Sequence, residues 1–403
     1  MRTRRIAIVI SSLCRGGAER AASDMSLHWP EDWNIDLIVN CKDEIEYPYR
    51  GNIIDLGLKP KKDKLDILYQ VKVFFIRIKR LKKLKREQDY DACISFMDSA
   101  NIANILTGKR YCKVIGTVHT NIRAIDQFQY KYLISPLVKV FYNKADKIVA
   151  VSEEVSDDLV KFFKLKSDKV ATIHNGHDIN RIKSLAVKEL CKEEKLWFKD
   201  SDNIIATMGR LETPKAQWHL IRAMKAVKEK IGDARLLILG EGQHRERLSL
   251  LIKEMNLEDN VILCGMRENP FRVISRCKAF VMSSIYEGFP QVLPEAMCCG
   301  LPCIATDFRT GVREIMDPSK KIEEKIENIT YADYGIISPL CDGKIRDGSA
   351  ALTNEEKMLA DAICLILENE GLRKQYGSLG IKRSELLSIK CCIEQYLNLV
   401  NDK

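Results

Sequence analysis

The sequence predicts an α/β protein built from two parallel-sheet domains. Three observations carry that expectation. The chain has 403 residues, more than one domain usually holds. Short apolar runs alternate with helix-length stretches, the pattern of strands covered on both faces by crossover helices. The alternation breaks off near residue 176 and begins afresh near residue 203.

The first run, IAIVI at 6–10, follows a basic MRTRR and so imitates a secretion signal. The run is short, however, and Arg15, Glu19 and Arg20 follow with no small-residue cleavage site between. It reads as a first buried strand. Further strands are expected at IDLIVN (35–40), NIID (52–55), DACISF (91–96), KVIGTVH (113–119) and KIVAVS (147–152). Helical patterns occupy 18–28, 64–88, 127–143 and 153–163. The second half repeats the scheme with NIIATMG (203–209), ARLLILG (234–240), NVILCG (260–265), KAFVMSS (278–284) and LPCIATD (301–307). The stretch 353–403 is helix-rich, preceded by one more strand signal at YGIIS (334–338). The expected domains are 1–176 and 201–384, facing each other across a cleft. A charged linker region spans 177–200, and a terminal helix of about 385–403 returns to the first domain.

Composition narrows the function classes. The chain is 46% hydrophobic and 30% charged, an ordinary soluble balance. No apolar run approaches the ~20 residues of a membrane span. None of the fourteen cysteines forms a C-x-x-C pair, and many sit in apolar runs, which points to reduced thiols and a cytoplasmic location. The net charge of +9 has an address: residues 59–86 hold twelve Lys or Arg and two Asp, a local +10. There Leu65, Leu68, Val71, Phe75, Ile78 and Leu81 recur at helical spacing among the charges. A basic amphipathic helix of this kind suits the anionic inner face of a cell membrane, at ~1 kcal/mol per basic residue near the headgroups. No nucleic-acid recognition motif accompanies the charge.

In open parallel sheets, ligands bind beyond the carboxyl ends of the strands. The segments there are RGGAER (15–20), HTN (119–121), GRLETPK (209–215), GEGQHR (240–245), GMREN (265–269), YEGFP (286–290) and DFRTG (307–311). Glycine beside Arg or Lys is the composition that cradles phosphate. The stretch YEGFPQVLPEAMCCGLP (286–302) adds two carboxylates, Glu287 and Glu295. Pro290 and Pro294 mark a helix start, while Gly300 and Pro302 mark its stop, so the helix is expected at about 291–299. Its positive end favours an anion, and a carboxylate just inside it suits a hydroxyl pair such as a ribose. The pattern G-x-G-x-x-G fails at 240–245, where Arg245 holds the third glycine position, so no dinucleotide fingerprint is present. Asp200 and Asp202 form an Asp-x-Asp pair, but it precedes a strand and is taken as chance. His174 and His177 lack a further ligand at metal spacing.

The E-x7-E segment, RGGAER, GRLETPK, GEG and the NG-x-D at 175–178 together resemble the retaining glycosyltransferases of family 4, which have the GT-B fold. The resemblance spans nearly the whole chain; one departure is Val312 in TGVREI, where proline is common. It implies sugar transfer from a nucleotide sugar with retained configuration and no required metal. The donor would be a UDP-sugar, with GDP- and ADP-sugars as alternatives. The acceptor would be a glycan on a polyprenyl diphosphate or a surface polysaccharide. By the resemblance, Arg210 and Lys215 clamp the diphosphate, Glu295 holds the ribose and Glu287 sits by the donor sugar. Gly288 and Phe289 offer backbone amides, with Pro290, Gln291 and Glu241 beside them, while Arg267 edges the base pocket. Gly16 and Gly17 face phosphate and sugar from the first domain, and His119 meets the transferred sugar. Two rivals stand beside this reading. One is an epimerase or dehydrogenase on paired Rossmann-like domains; the other is a non-catalytic nucleotide-sugar-binding module.

Overall fold

The computed structural model describes residues 3–14, 16–43, 45–58, 67–120, 134–308, 311–320 and 325–402. Arg15, the start of the basic segment (59–66), the first part of the expected helix at 127–143, and residues 309–310 lie outside the described residues. The chain divides into two units, Met1–Gly176 with Ile389–Lys403, and His177–Ser388. Each holds a largely parallel sheet, as the alternating runs require.

The first unit contains β1 (Arg5–Val9), β2 (Asn34–Val39), β3 (Asn52–Asp55), β4 (Ala92–Phe96), β5 (Lys113–Val118), β6 (Lys147–Ala150) and β7 (Val170–Thr172). They pair in parallel in the order β3-β2-β1-β4-β5-β6-β7. The central strands are buried on both faces, which is why β4 reads ACISF without a polar alternation. The order reverses between β1 and β4, and the chain leaves both strands at the same edge of the sheet. The helix Ile389–Asn401 packs here: Ile389, Cys392, Ile393, Tyr396 and Val400 fall on one face and join Ile6, Ile8 and Trp29 in the core.

The second unit repeats the plan with β8 (Ile204–Met208), β9 (Arg235–Leu239), β10 (Val261–Gly265), β11 (Ala279–Met282), β12 (Cys303–Thr306), β13 (Thr330–Ala332) and β14 (Gly335–Ser338). The order is β10-β9-β8-β11-β12-β14-β13, parallel except for the antiparallel edge strand β13. Residues 177–200 do not run as an open linker. They form the helices Ile179–Ala186 and Lys192–Trp197 of this unit. Their charges are tethers: Asp178 caps the first helix, and Glu193 and Glu194 pair with Arg267 and Arg272 at 2.8 and 2.9 Å. Behind the sheet, Thr353 and Glu356 form a capping box on the helix Asn354–Glu368. Glu356 also accepts from the buried His219 and Arg222, at 2.8 and 2.9 Å.

The basic segment forms the helix Ile67–Glu87, but its buried face is not the expected apolar stripe. Val71 and Phe75 are exposed, while Leu81 turns inward together with Arg77 and Lys85. Val73, Phe74, Ile76 and Leu84 cover the sheet instead. The long cationic side chains can lay their stems on the core, so a basic residue counts as apolar over most of its length.

The loops after β8 and β9 lie backbone against backbone. Gly240 adopts φ +145°, and a Cβ there would stand 2.0 Å from the carbonyl oxygen of Gly209. Gly240→Ala is therefore expected to cost about 2 kcal/mol or more, since it adds a clash to an unfavourable φ. The measurement is the shift of the urea midpoint; an unchanged midpoint would contradict the packing.

Candidate functional site

In the second unit the sheet order places β8 beside β11, although some seventy residues separate them in sequence. Their loops meet at the carboxyl edge and are stitched together. Ile285 N donates to Pro214 O at 2.8 Å, and Ser283 Oγ donates to the carbonyls of Lys215 and Ala216 at 3.1 and 3.2 Å. Ala216 is left-handed at φ +44° and fully buried, which reverses the chain between the turn Thr213–Lys215 and the helix Gln217–Lys230. The reversal aims Lys215 across to the other loop. Its Nζ meets Glu287 Oε1 at 2.5 Å, and Ser284 Oγ donates to the same oxygen at 3.0 Å. Gly209 leaves room for the lysine stem: a Cβ there would lie 3.3 Å from Lys215 Cε.

Arg210 shares this loop. Its guanidinium is largely exposed and among the described residues touches only Glu212, at 3.1 Å, a weak surface contact. Its carbonyl accepts from Gln217 Nε2 at 3.0 Å, which fixes the backbone while the side chain keeps its reach. Lys215 and Glu287 therefore meet where the strand order reverses, and Arg210 extends from the same loop as the lysine.

The helix Val292–Cys298 follows, with Pro294 in its first turn and Glu295 almost fully buried behind it. Phe289 and Pro290 are buried and Gln291 partly so. Gly311 supports them from below: at φ +78°, a Cβ would sit 2.8 Å from Pro290 Cδ. Beyond it, Arg313 grips the buried Asp307 through two hydrogen bonds of 2.7 and 2.6 Å. Val312 takes the first position of the helix Val312–Met316 and is fully buried, so an apolar residue serves where proline is common.

Two residues assigned from sequence are committed elsewhere through their side chains. Glu241 accepts from Arg245 Nη1 at 2.8 Å, and only its carbonyl reaches the β8 loop, accepting from Leu211 N at 2.9 Å. Arg267 forks onto Glu193 at 2.8 and 2.9 Å, donates to Cys264 O at 2.8 Å and stacks over Trp197. Asp200 and Asp202 precede β8, at the sheet edge opposite these loops. Among the described residues no group of three or more His, Cys, Asp or Glu side chains is arranged to hold a metal.

In the first unit, Gly16 caps the helix Gly17–His28 after β1, and a Cβ on Gly17 would meet no described atom within 4 Å. Packing alone thus does not require glycine at 17. His119 follows β5, stacked on Phe96 with ring centroids 5.2 Å apart. Its Nε2 lies 2.9 Å from Thr117 Oγ1, whose own proton goes to Ser95 O at 2.9 Å. The threonine oxygen must then accept, so Nε2 carries the hydrogen. Nδ1 accepts from Asn175 Nδ2 across a long 3.5 Å. Burial pushes the imidazole down to about 3, which keeps the ring neutral. Thr117, Phe96 and Ser284 went unnoticed in the sequence, and Asn175 was noticed only as part of the NG-x-D motif. Ser284 alone carried a signal, closing the KAFVMSS run at a strand's carboxyl end.

The comparisons with known proteins agree with the fold. The model of the glycosyl transferases group 1 matches residues 191–324, and that of Glycosyltransferase Family 4 matches 15–181. An uncharacterized glycosyltransferase of Methanocaldococcus jannaschii is 34% identical over 84% of this chain and 86% of its own. The N-acetylgalactosamine-N,N'-diacetylbacillosaminyl-diphospho-undecaprenol 4-alpha-N-acetylgalactosaminyltransferase of Campylobacter jejuni is 30% identical over 89% of this chain and 95% of its own. The crystal structure of Anabaena HepE in complex with UDP-glucose matches in fold, with a TM-score of 0.72 at 16% identity over 99% of this chain and 100% of that one.

The His119 environment makes a pH prediction. Its folded pKa lies below the unfolded value, so acid favours the unfolded chain, which takes up the proton first. The stability it contributes is present above pH 6.5 and is lost as pH falls toward 3. His119→Gln should flatten the fall in unfolding free energy over that window, by at most about 1.4 kcal/mol per pH unit. Parallel curves for the two proteins would show that the ring charges freely.

Proposed function

The chain belongs to the family 4 glycosyltransferases of the GT-B fold, and on that premise we propose that it is a retaining, metal-independent transferase using a UDP-sugar donor. The sugar is a hexose or N-acetylhexosamine, and it passes to a hydroxyl of a lipid-linked glycan. The observation that carries the proposal is Lys215 held against Glu287 at the strand-order reversal, with the loosely tethered Arg210 beside it. The complex of HepE with UDP-glucose supports the donor class. The diphospho-undecaprenol acceptor in the name of the Campylobacter relative supports the acceptor class.

In this reading the donor's diphosphate draws Lys215 and Arg210 onto its oxygens, and Glu295 accepts from the ribose hydroxyls. Glu287 is then left to the sugar. The bond between the anomeric carbon and the β-phosphate oxygen breaks, and its electron pair leaves with the UDP. The two cations stabilise that developing charge without needing to move far. The acceptor hydroxyl oxygen bonds the anomeric carbon from the same face, and its proton passes to the departing phosphate oxygen. His119, neutral and with both ring nitrogens engaged, acts by shape and by its long Asn175 contact, which a sugar hydroxyl can replace. It is not the base.

Peripheral membrane attachment on the inner face is part of this reading, and the helix Ile67–Glu87 supports it. Its outer side presents Val71 and Phe75 beside Lys72, Lys79, Lys82 and Lys83, all exposed. No helix among the described residues is long and apolar enough to cross a membrane.

Transfer is tested by UDP release with candidate acceptors. Lys215→Met should lower kcat by about 10²- to 10³-fold with little change in donor KM; a variant within twofold of the wild type would remove the lysine from the reaction. In a thermal-shift screen of UDP-, GDP- and ADP-sugars, Glu295→Ala should lose most of the shift given by the preferred donor. Equal shifts would end the ribose assignment. Phe75→Glu should release the protein from phosphatidylglycerol vesicles in a flotation assay, and continued flotation would count against attachment by this helix.

A further inference from the structure

Arg77 is a buried charge that the proposed reaction leaves without a task. The helix Ile67–Glu87 turns it inward to 5% exposure, at the carboxyl ends of β1 and β2. Nε and Nη2 donate to Asn40 Oδ1 at 3.0 and 2.8 Å, Nη1 donates to Ser99 Oγ at 2.8 Å, and Nη2 reaches Ser11 Oγ at 3.4 Å. Every one of these acceptors is neutral. Among the described residues no carboxylate is paired with the guanidinium. Burial pushes it down to about 10, so the site works against the charge yet leaves it protonated at neutral pH. A buried ion without a counter-ion is costly.

The surroundings fix the fork without neutralising it. Asn40 follows β2, Ser11 follows β1, and Ser99 stands in the first turn of the helix Asp98–Leu106 that follows β4. The guanidinium thus lies where the order of this sheet reverses, the place where open α/β sheets take ligands. It sits one side chain below the surface: Ser99 is exposed, and Ser11 and Asn40 are partly so. Both serine hydroxyls accept from the arginine and keep their own proton to donate. Two O–H donors beside a planar cation suit a phosphate.

We propose that Arg77, framed by Ser11, Asn40 and Ser99, binds a phosphate of the acceptor's diphosphate carrier and so selects lipid-diphosphate glycans over neutral ones. This rests on the lipid-linked acceptor of the preceding subsection. The site would let the protein read the carrier while the reaction itself occurs at the far end of the glycan.

The test supplies the missing counter-ion. Ser99→Asp places a carboxylate beside the guanidinium at an exposed position in a first helical turn, where an acid is tolerated. Arg77→Gln removes the charge. Acceptors are compared that share one glycan, on a diphosphate carrier or on an uncharged aglycone. KM for the diphosphate acceptor should rise by about tenfold or more in both variants, the scale of a lost charged hydrogen bond. KM for the neutral acceptor should stay within about twofold by the same reasoning. Inorganic pyrophosphate, titrated with UDP saturating the donor site, should bind the wild type and bind Ser99→Asp at least about tenfold more weakly. A higher thermal midpoint in Ser99→Asp with unchanged KM and pyrophosphate binding would make Arg77 a purely structural tie and overturn the proposal. Loss of binding to phosphatidylglycerol vesicles with pyrophosphate binding intact would assign the anion to a lipid headgroup, and the proposal would equally fall. Absence of transfer by the wild type to either acceptor would defeat the proposed function, whereas the pyrophosphate titration still judges Arg77.

Discussion

The contact between Lys215 and Glu287 exists because the second sheet reverses its strand order between β8 and β11. Strands far apart in the chain become neighbours, and the loops that leave them share one edge. Everything else in that region holds these loops still. Ser283 ties the carbonyls of Lys215 and Ala216, Ile285 ties Pro214, and glycines at 209 and 240 let the backbones touch. A lysine on a flexible stem gains little unless its Cα is fixed, since rotamer freedom is otherwise lost on binding. The left-handed Ala216 is the local strain that this fixation supports.

Much of the fold was legible because parallel strands buried on both faces write themselves as apolar runs. The runs at 6–10, 91–96 and 301–307 became β1, β4 and β12 with shifts of one or two residues. The short edge strands β7 and β13 did not announce themselves. Each has three residues and one uncovered side, so neither length nor continuous hydrophobicity marks it. The helices at 179–186 and 192–197 were hidden for the opposite reason. Their charges look solvated in sequence, yet Glu193 and Glu194 are fastened to arginines some eighty residues away. The basic helix misled through its own stripe, for Leu81 is core while Phe75 is not. Arginine and lysine stems at 77 and 85 turn inward from outside the stripe, while the stripe's Val71 and Phe75 are exposed.

The site was legible at the level of loops and less so at the level of side chains. That Lys215 and Glu287 occupy strand ends followed from the runs, but their meeting needed the strand order. Glu241 and Arg267 lay in the right loops too, and the structure engages their side chains with Arg245 and Glu193. Sequence position cannot distinguish a cation waiting for a ligand from one already forked onto a carboxylate. Nor could it show that burial keeps His119 neutral, or that a threonine two residues back and an asparagine fifty-six residues on engage its two ring nitrogens.

The two units hold their cations in different ways, and the difference has a consequence. Lys215 is parked on a carboxylate, so in the proposed reaction an incoming diphosphate would have to compete with Glu287 for it. That competition weakens binding of any anion unable to engage Arg210 and the helix tip as well, which favours a complete nucleotide diphosphate over a stray phosphate. On the proposed reading, Glu287 would then lose its lysine partner beside a sugar ring that develops positive charge. Arg77 is parked on neutral oxygens, which hold geometry but offer no rival charge. An anion arriving there meets an oriented fork and displaces only hydrogen bonds to neutral groups. Exchange against a carboxylate confers discrimination, and exchange against amide and hydroxyl confers readiness. On the two proposals together, a transferase that releases its nucleotide each turn but keeps hold of one carrier through its chemistry would have use for both.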